Sequence, residues 1–497
     1  MGRLPGETHG GKPVVRSVAG ASGDVVSRTI VIVGGGIAGI AAALRVAEAG
    51  EAPILIETRR RLGGRATSFH DPRSGRILDN CQHVVMGCCS NVLDLYDRLG
   101  VLDAIEWHKT TYWANPPHEP DALTPGRLPA PGHFTAAFLR MKAFTFAEKR
   151  SIARAMWQIV RMGLRGRLKW RGHTFAEFLA RTNQPAPLIA RFWDAIIVSA
   201  CNVPADRCDA SYALHVFQEG FLGSGWAATM GVPTVPLLEL YDAAEALIVE
   251  RGGEVQLGVS AKGLAFDGER VTGVVTEHGF VAAAAVISAV PADRLDKLCS
   301  VPLKHVDRRL RHLDAIQSSA ILGVHLFFDA KVMTTPHLVL PGRPTQWLFD
   351  KGTVEGADSG ALQPLQPLHH VHAVISGADA WCDLSEPEIV ERVMADVHWA
   401  LPAARGLAPV EARSVKEKRA TFAVVPGIDA LRPTAAPDAR GGVRNLFLAG
   451  DWTDTGWPST MEGACRSGYA AAAAATGRGG LVADVPIGSV ARFLGLA

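Results

Sequence analysis

Gly34, Gly36 and Gly39 stand in the spacing G-x-G-x-x-G. At such a turn the first glycine allows a sharp bend, the second lets backbone approach a pyrophosphate, and the third lets a helix pack close to a strand. Ile37 and Ala38 lie inside the hexad, and the helix N–H groups there would face phosphate charge. Glu57 comes eighteen residues after Gly39. A carboxylate at that distance accepts both ribose hydroxyls of an adenosine and repels a 2′-phosphate. Gly63, Gly64 and Arg65 follow and would wrap the backbone round the far side of the same pyrophosphate, where a guanidinium pairs with phosphate through two parallel bonds. Gln82 and His83 add hydrogen-bonding side chains, and His83 either meets a ligand or ties its loop to its neighbours. Further on, Gly450-Asp451 ends an apolar run, and Met461-Glu462 opens an alanine-rich stretch. His369-His370-Val371-His372 invites a metal reading, but a strand puts only His370 and His372 on one face and no carboxylate follows closely. No metal site is expected.

The elements that position these groups follow from periodicity and breakers. The β-branched run from Thr29 reads as a buried parallel strand, followed by a helix over 40–49 that Gly50 stops and a second strand over 52–56. A helix over 237–252, a strand over 254–259, a hairpin turning at Asp267-Gly268 and a strand over 284–291 come later. Residues 107–131 are proline-rich and read as irregular. Strands are expected over 320–328 and 370–376, and a long helix from about Thr460. A chain of 497 residues exceeds one core, so an α/β protein of two domains is expected. Residues 1–28 are polar, lack the apolar core of a signal peptide, and read as a disordered tail. No run reaches about 18 apolar residues, so no spanning helix is expected. The eight cysteines show neither zinc spacing nor a disulfide framework, which points to a reducing cytoplasm.

Charge is unevenly spread. Between Arg140 and Arg171 there are ten basic residues and one acid, +9 in a chain of net +2, so the remainder sums to −7. At helical spacing Arg150, Arg154, Arg161 and Arg165 share one face, with Ile152, Met156, Ile159 and Met162 broadly opposite. A basic amphipathic helix over 146–171 either rests on an anionic membrane surface or presents a solvated face over a core stripe. No recognised module accompanies the charge, so no nucleic acid is expected. The apolar, small-residue stretch 196–233 is either the wall of a greasy channel or plain core.

Glu57 followed by Gly63-Gly64-Arg65 resembles the FAD-binding signature of the flavin amine oxidase and carotenoid desaturase superfamily. The resemblance implies FAD as cofactor. It implies a discontinuous Rossmann-like FAD-binding domain over 29–105, 235–300 and 436–480, and an α+β substrate domain over 106–234 and 301–435. Within it, the Asp79-Asn80-Cys81-Gln82-His83 loop lies under the flavin ring, although the family pattern has glycine in place of Cys81. Val259 matches a position whose backbone meets adenine, and Asp451 one that bonds the ribityl chain or pyrophosphate. The helix beginning at Met461 and Glu462 points its N-terminus at the flavin O2 edge, where its dipole stabilises the charge that reduction develops.

The stretch Gly450-Asp451-Trp452-Thr453 with 455–464 looks like the squalene-associated subgroup, the hydroxysqualene dehydroxylases of hopanoid synthesis. That implies reductive removal of a hydroxyl from a C30 isoprenoid, with a proton donor assigned to His83. The substrate would be drawn from the cytoplasmic membrane face, and the partners would be that surface and upstream enzymes of squalene formation. A carotenoid desaturase running the chemistry oxidatively is the alternative. An amine oxidase fits less well, because Thr460 stands where those enzymes carry an aromatic residue. A non-catalytic flavin-bound membrane adaptor is the remaining reading.

Overall fold

The computed structural model describes residues 27–354, 367–438 and 441–497. The tail expected over 1–28 lies outside these residues except for its last two. The N-terminal glycine turn leaves a five-stranded parallel sheet, ordered Glu254–Leu257, Ala52–Glu57, Thr29–Val33, Ala285–Ser288, Leu446–Leu448. Its strands are apolar runs because both faces are covered: Ile30, Val31 and Ile32 are all fully buried. Helices Ile37–Glu48 and Met461–Thr476 lie against each other, and a Cβ on Gly468 would come 2.2 Å from the Ala38 carbonyl. Glycine is what allows that approach.

The first helix begins at Ile37, three residues before the expected start. Gly39 does not delay it, since a missing Cβ is what seats the first turn on the strand. The 237–252 helix is a 3-10 turn, Leu237–Tyr241, followed by the α-helix Ala243–Glu250.

A seven-stranded sheet forms the other large layer, ordered Glu411–Phe422, Ser318–Phe328, Leu368–Ser376, Trp347–Val354, His337–Val339, Thr111–Asn115, His118–Leu123. Helix Glu386–Ala400 covers it through Ile389, Val393 and Val397. Residues 107–131 are therefore not irregular: they hold the second half of Ile105–His108 and both strands of a hairpin. Pro116 and Pro117 sit in its turn, and Pro120 lies on the sheet's last strand, an edge that tolerates a missing N–H.

The basic helix is also shorter than expected. It runs Phe146–Gly166, breaks at Gly163 (φ 67°), and passes into a 3-10 turn, Arg167–Trp170. The C-terminal segment fills the break, with the Leu164 N–H donating to the Leu496 carbonyl at 3.0 Å. Arg150, Arg154, Arg161 and Arg165 are exposed, while Ile152 and Ile159 are buried. Among the described residues no helix is long and apolar enough to cross a membrane.

Candidate functional site

Two glycine turns stack backbone on backbone. Gly34 adopts φ +108°, and a Cβ on Gly39 would lie 1.8 Å from the Gly34 carbonyl oxygen. Gly63 donates its N–H to Gly35 O at 2.9 Å, and a Cβ on Gly64 would meet Gly36 Cα at 2.8 Å. The bare backbone between them is a cradle that a pyrophosphate fits. No acid occupies the first turn of helix Ile37–Glu48, so its N-terminus is open to negative charge. Glu57 closes the edge of the cradle. Its carboxylate accepts from Gly35 N–H at 2.6 Å and Arg59 N–H at 2.8 Å, and it keeps lone pairs for ribose hydroxyls. Val259 donates its N–H to Glu57 O at 3.0 Å, which fixes it at the same end.

The other end is built round Asp451. This buried carboxylate pairs with Arg65 and accepts from Ser459 Oγ. Arg65 also donates to Ala420 O at 2.8 Å. The guanidinium expected on phosphate is therefore committed to Asp451, which would otherwise be an uncompensated buried charge. Although burial disfavours the Arg65 charge, Asp451 holds its pKa above the ordinary value. Gly450 (φ +133°) makes the turn, and Arg432 staples the loop by donating to the carbonyls of Asp451, Trp452 and Thr453.

The 79–83 loop is clamped from behind. Asn80 Nδ2 donates to Arg65 O at 2.5 Å, and Lys351 Nζ donates to Gln82 Oε1 at 3.2 Å. His83 Nδ1 lies 3.1 Å from Cys81 O, and a carbonyl only accepts, so Nδ1 carries the proton. Burial pushes the His83 pKa below its ordinary value. A neutral ring that has already given its N–H away is an acceptor at Nε2. To serve as the acid expected of it, His83 would need a second proton at Nε2. Cys81, in the family's glycine position, is buried, and its thiol is pushed up to about 12 by burial.

Helix Met461–Thr476 opens with Thr460 capping Gly463 N–H at 3.0 Å. Glu462 lines the cavity, and its carboxylate turns toward a neighbouring helix. Its carboxylate accepts from Asn91 N–H at 3.2 Å and Val92 N–H at 2.8 Å, satisfying the start of helix Ser90–Arg98. Met461 accepts a contact from Tyr96 Oη at 3.6 Å.

The cradle glycines 34, 36, 63 and 64, Glu57, Arg65, the 80–83 loop, Asp451 and Met461-Glu462 border one cavity of about 1710 Å³. Every residue singled out for cofactor contact lines it except Gly39, which instead packs on Gly34. Beyond the cradle the wall becomes apolar, with Trp113, Phe192, Phe217 and Phe221 among its rings. Part of the 196–233 stretch forms this wall. Two π-helical turns, Ile189–Trp193 and Val216–Leu222, contribute to it, a geometry that recurs at functional sites. The cavity reaches the surface beside Leu128, Leu139, Phe146 and Trp157, which are 56%, 55%, 75% and 48% exposed, with Lys149 and Arg150 on the rim. His370 bonds His325 at 2.9 Å rather than a metal site, and among the described residues no group of three His, Cys, Asp or Glu is placed to hold a metal ion.

Sequence reasoning missed Arg432, Lys351, His215 and the wall residues Val490 and Leu494.

The family pattern described as flavin containing amine oxidoreductase matches residues 37–476. A 15-cis-phytoene desaturase of Synechococcus elongatus is 26% identical over 473 residues, 90% of this chain and 96% of that protein. A hydroxysqualene dehydroxylase of Rhodopseudomonas palustris is 27% identical over 465 residues, 90% of this chain and 98% of that one. Among solved structures, cyclohexylamine oxidase from Brevibacterium oxydans IH-35A aligns with a TM-score of 0.63 at 17% identity, over 91% of this chain and 99% of its own, a likeness of fold alone. Because the family pattern runs from the first turn of the phosphate-facing helix to the end of the helix after Asp451, the chain belongs to the flavin containing amine oxidoreductase family and is an FAD-dependent oxidoreductase.

Proposed function

We propose that this enzyme removes the hydroxyl of hydroxysqualene reductively, giving squalene for hopanoid synthesis. The observation that carries the reading is the cavity of about 1710 Å³ that joins the dinucleotide cradle to an aromatic and aliphatic tunnel. Common ligand sites measure roughly 300–1,000 Å³. FAD and a long apolar chain therefore fit side by side. Thr460 offers no ring to flank an amine. The likeness to the Rhodopseudomonas dehydroxylase adds support, and the equal likeness to phytoene desaturases supports polyene desaturation as the second reading.

Bound FAD, when reduced, supplies the hydride. Gly36, Gly64 and the Ile37 helix N-terminus would hold its pyrophosphate, and Glu57 would hold its ribose. Asp451, fixed by Arg65 and Ser459, would meet its central chain. The apolar wall keeps water from a carbon that gains positive character as the C–O bond opens. The departing oxygen needs a hydrogen-bonding partner. His83, as placed, does not donate.

In this reading the tunnel mouth rests on the cytoplasmic face of a bilayer, where upstream enzymes of squalene formation release the substrate. Support comes from the exposed Leu128, Leu139, Phe146 and Trp157 round the mouth and the exposed cations of helix Phe146–Gly166 beside them.

The test is product analysis. Anaerobically reduced protein with hydroxysqualene is expected to form squalene. Oxidised protein with phytoene is expected to leave it unchanged. Desaturated phytoene with no squalene would hand the case to the second reading.

A further inference from the structure

The tunnel wall beyond the cradle is apolar but for a few groups, and most of those are already satisfied. Ser199 Oγ, for example, accepts from Trp347 Nε1 at 2.7 Å and donates to Ala195 O at 2.8 Å. His215 differs. It is 4% exposed and lines the cavity, and neither ring nitrogen has a hydrogen-bond partner. Among the fully buried side-chain nitrogens of the described residues, the other one on the wall without a partner is Trp113 Nε1, which sits in the aromatic group with Phe144 and Phe192.

The position of His215 is specific. Its ring stands edge-on to Trp457, with centroids 4.7 Å apart. Trp457 belongs to the turn that leads from Asp451 into the flavin-facing helix Met461–Thr476. Glu219, also on the wall, approaches His215 Nδ1 to 3.4 Å without forming a hydrogen bond, and is held by Arg167 at 2.7 Å. Burial, with Arg167 next, holds the His215 pKa well below its ordinary value. The ring is therefore neutral, with one N–H donor and one bare acceptor.

We infer that His215 is the polar anchor that receives the hydroxyl of a long-chain isoprenoid alcohol inside the tunnel, and so selects the alcohol over the corresponding hydrocarbon. The inference rests on the proposed dehydroxylation and deepens it. A hydroxyl can both donate and accept, so it pairs with whichever ring nitrogen faces the tunnel, protonated or bare. A hydrocarbon in the same place displaces any water from the ring and returns nothing, which leaves buried polar atoms unpaired. Anchoring the oxygen beside Trp457 brings the carbon that bears it to the flavin end of the tunnel.

The experiment uses the oxidised FAD-loaded enzyme, in which no turnover occurs. Binding of hydroxysqualene and of squalene is followed by perturbation of the flavin spectrum, in wild type, His215→Phe and His215→Gln. Wild type is expected to bind the alcohol roughly tenfold more tightly than the hydrocarbon. His215→Phe is expected to bind both equally, and His215→Gln to keep most of the preference. A preference that survives His215→Phe overturns the anchor and leaves the proposed function standing. Equal binding of the two compounds by wild type overturns the anchor without needing any variant. Failure of wild type to bind either compound overturns the proposed function, and the anchor with it.

Discussion

Replacing Arg65 by methionine removes one half of an ion pair that joins residues 386 positions apart in sequence. Asp451 is buried, its side chain 5% exposed, while Arg65 is 33% exposed. Stripping one partner from a fully buried pair costs about 3–5 kcal/mol, mostly through the charge left behind. Solvent at the Arg65 side screens part of that, and Ser459 still donates to the carboxylate. The expected loss of folding stability is therefore about 2–3 kcal/mol. Asp451→Asn alone strands the arginine, which is less buried, and is expected to cost about 1 kcal/mol. The double variant has no charge left to orphan and is expected to recover at least about 1.5 kcal/mol relative to the sum of the singles. Urea denaturation gives these numbers. Repeating it at two free-FAD concentrations separates weaker folding from weaker cofactor binding, because stabilisation by a ligand grows with its concentration. If the singles simply add, or if Arg65→Met changes only the FAD-dependent part, then Arg65 serves the phosphate and the pairing argument fails.

Gly39→Ala puts a methyl group 1.8 Å from the Gly34 carbonyl, so the helix must move off the strand; visible flavin absorbance per chain is expected to fall to background, and a yellow variant would refute the close-packing role. Burial lowers the imidazoles of His325 and His337 from 6.5 to about 4. In the range between those values the unfolded chain binds more protons, so their contribution to stability is complete above about pH 6.5 and is lost as pH falls toward 4, roughly 3 kcal/mol for His325. Denaturant midpoints measured across that range should fall with pH, and more shallowly in His325→Gln; midpoints that rise on acidification contradict the sign. Changing Arg150, Arg154, Arg161 and Arg165 to Gln is expected to lower cosedimentation with anionic vesicles by roughly tenfold or more at low salt. Unchanged sedimentation would remove the helix from the docking surface.

The phosphate cradle is legible in the amino-acid sequence because its constraint is local. Gly34, Gly63 and Gly64 stand where a side chain cannot, and a strand and a helix flank the first turn in sequence. What the sequence hides depends on distant partners. The break at Gly163 looks like continuous helix by periodicity, since the carbonyl that fills it belongs to Leu496. Prolines at 116, 117 and 120 mask a hairpin because two occupy its turn and one its open edge. Arg65 reads as a phosphate ligand until the fold brings Asp451 to it, and Glu462 reads as a cofactor contact until helix Ser90–Arg98 claims its carboxylate. His215 carries no motif; only the lack of neighbours able to satisfy it marks it out.

The order of strands in the parallel sheet constrains when this enzyme can come alive on the ribosome. Thr29–Val33 is hydrogen-bonded to Ala285–Ser288, whose other edge waits for Leu446–Leu448. A nascent chain short of Asp451 holds the glycine turns but nothing to seat the far half of the flavin, and Val490 and Leu494 have yet to wall the tunnel. Cofactor capture is thereby deferred until Asp451 and the helix after it have been made.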